Sequence, residues 1–178
     1  MLVVFSGLPG TGKTTLAQAF AQQRHALYLG SDTIDLALRL AASISGESSP
    51  IVHGVAKALA LENLRLAQIV VIDSVNALQA RRDAWRQIAV MAQVQIFEIE
   101  MICSNAAEHQ RRIEARTAGP ESLIPPTWQD VKERHYDAWD RPHLVIDSAE
   151  LSFVDAYKGL VNWLQTGAST GPIAGGAM

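Results

Sequence analysis

The sequence predicts an α/β domain in which a five-stranded parallel sheet lies between two layers of helices. Three observations lead there. Apolar runs at 2–6, 26–29, 69–72, 94–102 and 144–146 alternate with longer segments of helical periodicity. The runs are mostly continuous, as strands buried on both faces require. Three of them close on polar or acidic residues, at Ser31-Asp32, Asp73 and Asp147, the edge of an open parallel sheet where ligands bind. Right-handed crossovers follow from that architecture.

The first element is Leu2-Val3-Val4-Phe5-Ser6, which breaks into Gly7-Leu8-Pro9-Gly10-Thr11-Gly12-Lys13-Thr14-Thr15 before Leu16, Ala17, Phe20 and Ala21 recur at helical spacing. The spacing fits G-x-x-x-x-G-K-[ST], a loop whose backbone N–H groups curl around phosphate oxygens beside a helix N-terminus. Gly7, Pro9, Gly10, Thr11, Gly12, Lys13, Thr14 and Thr15 are the candidate nucleotide-binding residues. Lys13 is placed to reach the β and γ phosphates, and Thr14 to offer its hydroxyl to Mg²⁺.

The first helix is expected to end near Gln22 to His25, and 26–29 forms a second strand that delivers Asp32 to the ligand edge. Ile34 to Ala41 reads as a helix, and Ser43 to Pro50 as either a substrate flap or a plain loop. Val52 to Ala67 forms a helix against the sheet. The strand after it ends in Asp73, which serves either as the acidic support of Mg²⁺ or as a helix-capping residue. Ala80 to Ala92 and Ala106 to Arg116 are predicted helices flanking the strand at 94–102. Arg112 and Arg116 share a helical face with Arg111 beside them. Ahead of Thr117-Ala118-Gly119-Pro120 they read as a lid over phosphates, the other reading being a solvated face. Trp128, Val131, His135 and Trp139 recur at helix-like intervals across 126–140 and point to packing. A last strand at 144–147 and a helix from Leu151 to Leu164 complete one domain over 1–165, with 166–178 a small, uncharged, disordered tail.

Composition bounds the function. With 178 residues, 48% of them hydrophobic, the chain buries one good core, and a net charge of −3 gives no global field for nucleic acid or an anionic membrane. Cys103 is the only cysteine, so no internal disulfide framework exists, and no Cys/His spacing suits zinc. The only metal expected is Mg²⁺ carried with ATP. The first strand starts at Leu2 with no preceding leader, and no run approaches a membrane span, so a cytoplasmic location is expected.

On these residues the chain resembles the small bacterial P-loop kinases known as AAA-type predicted kinases, relatives of chloramphenicol phosphotransferase and of the kinase domain of polynucleotide kinase. The resemblance runs from Leu2 to Asp147. It rests on Gly7 to Thr15, on Gly30-Ser31-Asp32, on Ile72-Asp73-Ser74-Val75-Asn76 with Arg81-Arg82-Asp83-Ala84-Trp85, and on Arg112 and Arg116. It implies a P-loop NTPase three-layer sandwich with strand order 2-3-1-4-5 and a helical lid. It also implies that Asp32 accepts the proton of a substrate hydroxyl and that Arg112 and Arg116 are lid arginines. Asp35 departs from the pattern, standing where polynucleotide kinase holds its substrate's phosphate with an arginine. A carboxylate there, paired with Arg39 four residues on, favours a small neutral or cationic hydroxyl compound; the alternative is a merely solvated Asp35.

The expected activity is phosphoryl transfer from Mg-ATP to a hydroxyl-bearing small molecule, with Lys13, Asp32, Arg112 and Arg116 as catalytic residues and Thr14 and Asp73 at the metal. Rival expectations are a P-loop ATPase or nucleotide-dependent switch, and a binding module without a phosphoryl acceptor. No Asn-Lys-x-Asp guanine-reading motif follows the loop, which weighs against a GTPase.

Overall fold

Strand β1 (Leu2–Ser6) has every side chain buried, which places it at the centre of the sheet. The computed structural model describes residues 1–42, 49–117 and 125–166. Around β1 lie β2 (Leu27–Gly30), β3 (Val70–Asp73), β4 (Ile96–Ile102) and β5 (Leu144–Asp147), in the order β2-β3-β1-β4-β5 with all neighbours parallel. The predicted order therefore holds. The chain leaves β1 toward one edge and returns from β3 to the other, so the carboxyl end of β1 is the switch point at which such sheets bind ligands.

Seven helices lie among the described residues: α1 (Lys13–Arg24), α2 (Ser31–Ala42), α3 (Ser49–Arg65), α4 (Gln79–Ala92), α5 (Ala106–Glu114), α6 (Trp128–Glu133) and α7 (Phe153–Thr166). Alternation along the strands sorts them into two layers. Val3, Phe5, Phe97, Ile99 and Ile146 meet Leu16 and Phe20 of α1 and Leu160 of α7. Leu2, Val4, Val70 and Ile72 meet Ala60 and Leu64 of α3 and Trp85 and Ile88 of α4.

β4 shows the alternation most plainly. Phe97, Ile99 and Met101 enter the first core, and Glu98 and Glu100 point to the other face. Glu98 is buried there and takes both Nε and Nη2 of Arg86, at 2.8 and 2.6 Å.

Two expectations need correction. Helix α5 stops at Glu114, so Arg116 lies just beyond it, and its backbone N–H bonds back to Ile113. The helical periodicity of 126–140 is realised only in α6, because Arg134 turns to extended backbone at φ −65°, ψ 119°. Beyond that point the chain spreads over buried polar groups, and His135 is exposed and bonded to Asp137 rather than packed. The expected flap lies outside the described residues apart from Ser49 and Pro50, which open α3, and so do Ala118 to Pro120 and the tail from Gly167. No helix among the described residues is long and apolar enough to cross a membrane.

Candidate active site

The loop from Gly7 to Gly12 is shaped by close backbone contacts. Gly7, at φ +137°, lies so near β4 that a Cβ would stand 2.2 Å from the Met101 carbonyl oxygen. Gly10, at φ +83°, faces α5, where a Cβ would stand 2.7 Å from Ile113 Cδ1 and 3.1 Å from His109 Cδ2. Only glycine fits both positions. Within the loop Thr11 is buried and its hydroxyl donates to the Leu8 carbonyl at 2.9 Å, while the Gly7 N–H donates to Val75 at 3.1 Å.

Gly12 caps α1 without any side-chain hydrogen bond, and no acidic residue occupies the helix's first turn. The first N–H groups of α1 therefore meet the loop with their positive dipole end uncompensated, which suits a bound anion. Thr14 and Thr15 are exposed at this helix start.

Lys13 is half-buried beside the Leu8 carbonyl, 3.5 Å from its Nζ. Burial pulls its ammonium below the usual lysine range. Asp73 and then Asp32 oppose that shift, while Arg116 and Arg134 add to it. Four charges from separate segments thus act on one ammonium: Asp32 at the head of α2, Asp73 at the end of β3, Arg116 after α5 and Arg134 after α6. Three of the four were candidates from sequence. Arg134 was not, because it lies beyond the point where helical periodicity stops describing the chain.

Asp73 is 6% exposed and its Oδ2 accepts the Tyr28 hydroxyl at 2.7 Å. Burial, with the neighbouring carboxylate, pushes the Tyr28 phenol well above its ordinary range, so it remains an O–H donor and holds the Asp73 rotamer. Asp32 is exposed at the carboxyl edge beside Ser31.

Arg112 is already engaged. Its Nε bonds Glu108 at 2.8 Å, and its two terminal nitrogens reach the hydroxyl and carbonyl of Ser148 at 2.7 and 3.0 Å. Arg111 also binds Glu108, at 2.7 Å, whereas Arg116 is exposed. The two guanidinium groups hold the Glu108 carboxyl down to about 2. His109 is a residue that sequence reasoning passed over. It is 7% exposed, its Nε2–H donates to the Pro9 carbonyl at 2.7 Å, and its ring meets Trp128 of α6 edge-on at 5.2 Å. One imidazole of α5, the helix expected as a lid, thereby touches both the phosphate loop and α6.

Beneath the loop lies a buried polar frame. Asn76 donates to Ser6 Oγ at 3.2 Å and to the Phe5 carbonyl at 3.4 Å, and accepts Trp85 Nε1 at 3.0 Å. Arg82 is fully buried and donates to the carbonyls of Asn76, Ala77, Asp137 and Ala138. The guanidinium lies over Trp139 at 4.5 Å. A cavity of about 200 Å³ opens on the other flank of the loop, with Glu100, Cys103, His109 and Tyr136 in its wall.

Among the described residues no cluster of three or more His, Cys, Asp or Glu side chains could cage a metal. The Thr14 hydroxyl and Asp73 carboxylate are hard oxygen donors, the kind Mg²⁺ takes one or two at a time, with phosphate and water completing its shell. They fit that ion.

No curated protein matches the chain. Solved structures share its fold. A kinase-like protein from Chloroflexus aurantiacus aligns with a TM-score of 0.74 at 18% identity, over 93% of this chain and 96% of that one. A sugar kinase from Janibacter sp. HTCC2649 gives 0.65 at 14% identity, over 92% and 94%. The APS kinase CysC of Mycobacterium tuberculosis, in complex with AMPPNP and APS, gives 0.62 at 19% identity, over 92% and 96%. At such identities the likeness speaks for the fold. The sequence profile of the AAA domain family AAA_33 matches residues 2–139, which contain the loop, Asp32, Asp73 and the arginines after α5 and α6, and the chain therefore belongs to that family of P-loop kinase fold.

Proposed function

We propose that the protein is an ATP-dependent kinase that transfers the γ-phosphoryl group of Mg-ATP to a hydroxyl of a small molecule. The observation that carries this is the glycine-shaped loop at the open start of α1, with Asp73 at the end of β3, Asp32 just beyond the end of the adjacent β2, and both acting electrostatically on Lys13. One carboxylate is buried and fixed by Tyr28; the other is exposed and available to an incoming acceptor.

In this mechanism the N–H groups from Gly10 to Thr15 hold the triphosphate and Lys13 bonds its β and γ oxygens. Thr14 and Asp73 hold Mg²⁺, which supplies neutralisation of phosphate charge. Asp32 orients the acceptor hydroxyl and takes its proton as the new O–P bond forms and the bond to ADP breaks. Arg116 and Arg134 offset charge on the transferred group, joined by Arg112 on release of Ser148. The similarity to structures named for kinases supports the assignment. Incubation with Mg-ATP and a panel of hydroxyl compounds tests it. The expected result is a phosphorylated acceptor with ADP in equal amount. Free phosphate alone would identify an ATPase, and neither product a binding module.

A further inference from the structure

A backbone loop holds a triphosphate when its N–H groups face the anion and its carbonyls face away, since the two ends of a planar trans peptide point in opposite directions. The outward carbonyls then need donors of their own. The Leu8 carbonyl finds one within the loop, in Thr11 Oγ1 at 2.9 Å, whereas the Pro9 carbonyl is served from 100 residues away by His109 Nε2 at 2.7 Å. A carbonyl oxygen only accepts, so this ring nitrogen carries its proton.

The Pro9–Gly10 peptide needs such a hold more than its neighbours do. Proline fixes its own φ, which leaves the tilt of this peptide plane to the ψ of Pro9 and the φ of Gly10. Gly10 stands at φ +83°, but glycine accepts either sign of φ, so the chain itself does not keep the plane from turning over. With the Pro9 carbonyl drawn toward α5, the Gly10 N–H is turned to the opposite side, where it meets no acceptor among the described residues.

The donor is held firmly. His109 is buried with its ring edge-on to Trp128, and Ile113, one turn further along α5, is buried against Gly10. Asn105 caps the helix by accepting the Glu108 N–H at 3.0 Å, and Arg112 ties its far side to Ser148.

We propose that His109 is a positioning residue for the bound nucleotide: by holding the Pro9 carbonyl it presets the Gly10 N–H toward phosphate, so that the loop is formed before the triphosphate arrives. Without this donor the peptide turns over, which places a carbonyl dipole against phosphate oxygens and removes a charge-assisted hydrogen bond. His109 itself touches no substrate atom in this role. The proposal rests on the triphosphate-binding half of the function proposed above and is independent of the acceptor.

Isothermal titration of Mg-AMPPNP and of sodium triphosphate into the full chain tests it. The wild type is compared with His109→Gln, whose amide keeps a donor at a reach similar to that of Nε2, and with His109→Leu, which has none. Both variants lose the ring's contact with Trp128, so a difference between them reports the donor and not the packing. His109→Leu is expected to weaken both ligands about tenfold or more, and His109→Gln to stay within about threefold of the wild type. Wild-type affinity in the leucine variant overturns the proposal, and so do equal losses in the two variants.

Two measurements on the wild type need no substitution. Nitrogen NMR of the ring is expected to find the His109 proton on Nε2, and the Gly10 amide proton is expected to move downfield when triphosphate binds. A bare Nε2, or a Gly10 amide that does not move, overturns the role of His109 and leaves the phosphate loop standing. A wild type that binds neither ligand removes the phosphate-loop reading and the proposal with it.

Discussion

Arg82 and Asp137 hold each other's segments in place. The Arg82 guanidinium donates to the Asp137 carbonyl at 3.0 Å, while the Asp137 carboxylate accepts the backbone N–H of Gln79, at the start of Arg82's own helix, at 2.7 Å. Asp137 thus does for α4 what a capping side chain does from within a sequence, but from 58 residues away. The Gln79 N–H and the other donors around it hold the Asp137 carboxyl below its usual range.

Arg82→Ala should destabilise the fold by about 3 kcal/mol or more, because it strands carbonyls of two segments without donors. Arg82→Lys should recover only part of this, since an ammonium cannot span four carbonyls in a plane. Urea unfolding followed by circular dichroism checks both values. A loss below about 1 kcal/mol in the alanine variant would show that water replaces the guanidinium.

Lys13→Ala should abolish nucleotide-dependent turnover and leave the unfolding midpoint nearly unchanged or raised, since burial already disfavours this ammonium in the free protein. Turnover assays beside thermal unfolding decide it. Ordinary turnover in the variant would remove the phosphate-loop role of the lysine.

Asp32→Asn should keep Mg-ATP affinity and lose acceptor-dependent turnover by about 10² to 10⁴. Nucleotide titration and steady-state assays are to be run separately. Joint loss of binding and turnover would assign Asp32 to nucleotide or metal instead of to the acceptor.

Arg116→Ala should lower turnover by about 10³ or more while ATP affinity falls far less, and Arg134→Ala should act in the same direction. Arg112→Ala should also slow turnover and, unlike the other two, loosen the contact between α5 and Ser148. Hydrogen exchange at 111–117 and 125–134 is expected to slow when a non-hydrolysable ATP analogue binds. Unchanged exchange with wild-type turnover would return these arginines to a solvated face.

His53 also sets a pH dependence. Burial first, then the charges of Arg81 and Lys57, lower its pKa from 6.5 to about 4, so the folded state holds it neutral. The associated stability is fully present above pH 6.5 and is lost as pH falls toward about 4. His53→Gln should flatten the melting temperature over that window. Equal slopes in the two proteins would show that the imidazole is not protonated on unfolding.

The parts of this molecule that were legible in its sequence are those governed by near neighbours. Continuous apolar runs marked all five strands, and the spacing from Gly7 to Thr15 marked the loop. The order of the strands came through resemblance, since periodicity is silent about which strand lies beside which. The segment after Glu133 was misjudged because Trp139 does recur at helical spacing, yet its ring is claimed by Arg82 on one side and stacks on His143 at 3.9 Å on another. His109 was missed for a similar reason: its partner is the carbonyl of Pro9, a hundred residues earlier. The Asp35–Arg39 pair was foreseen, because four residues on a helix is a local distance.

The carboxylates of β4 bear on how the chain assembles. Val4 faces Glu98 and Ser6 faces Glu100 across the β1 ladder, and each carboxylate has a cation or an imidazole waiting on its own side of the sheet, Arg86 for one and His143 for the other. A slip of one residue would turn both toward Phe20 and Leu160, where they would be buried without partners at a cost of several kcal/mol each. A purely aliphatic strand would slide at little expense. Glu98 and Glu100 therefore act as a register key: a β4 docked out of step would bury two carboxylates without their partners.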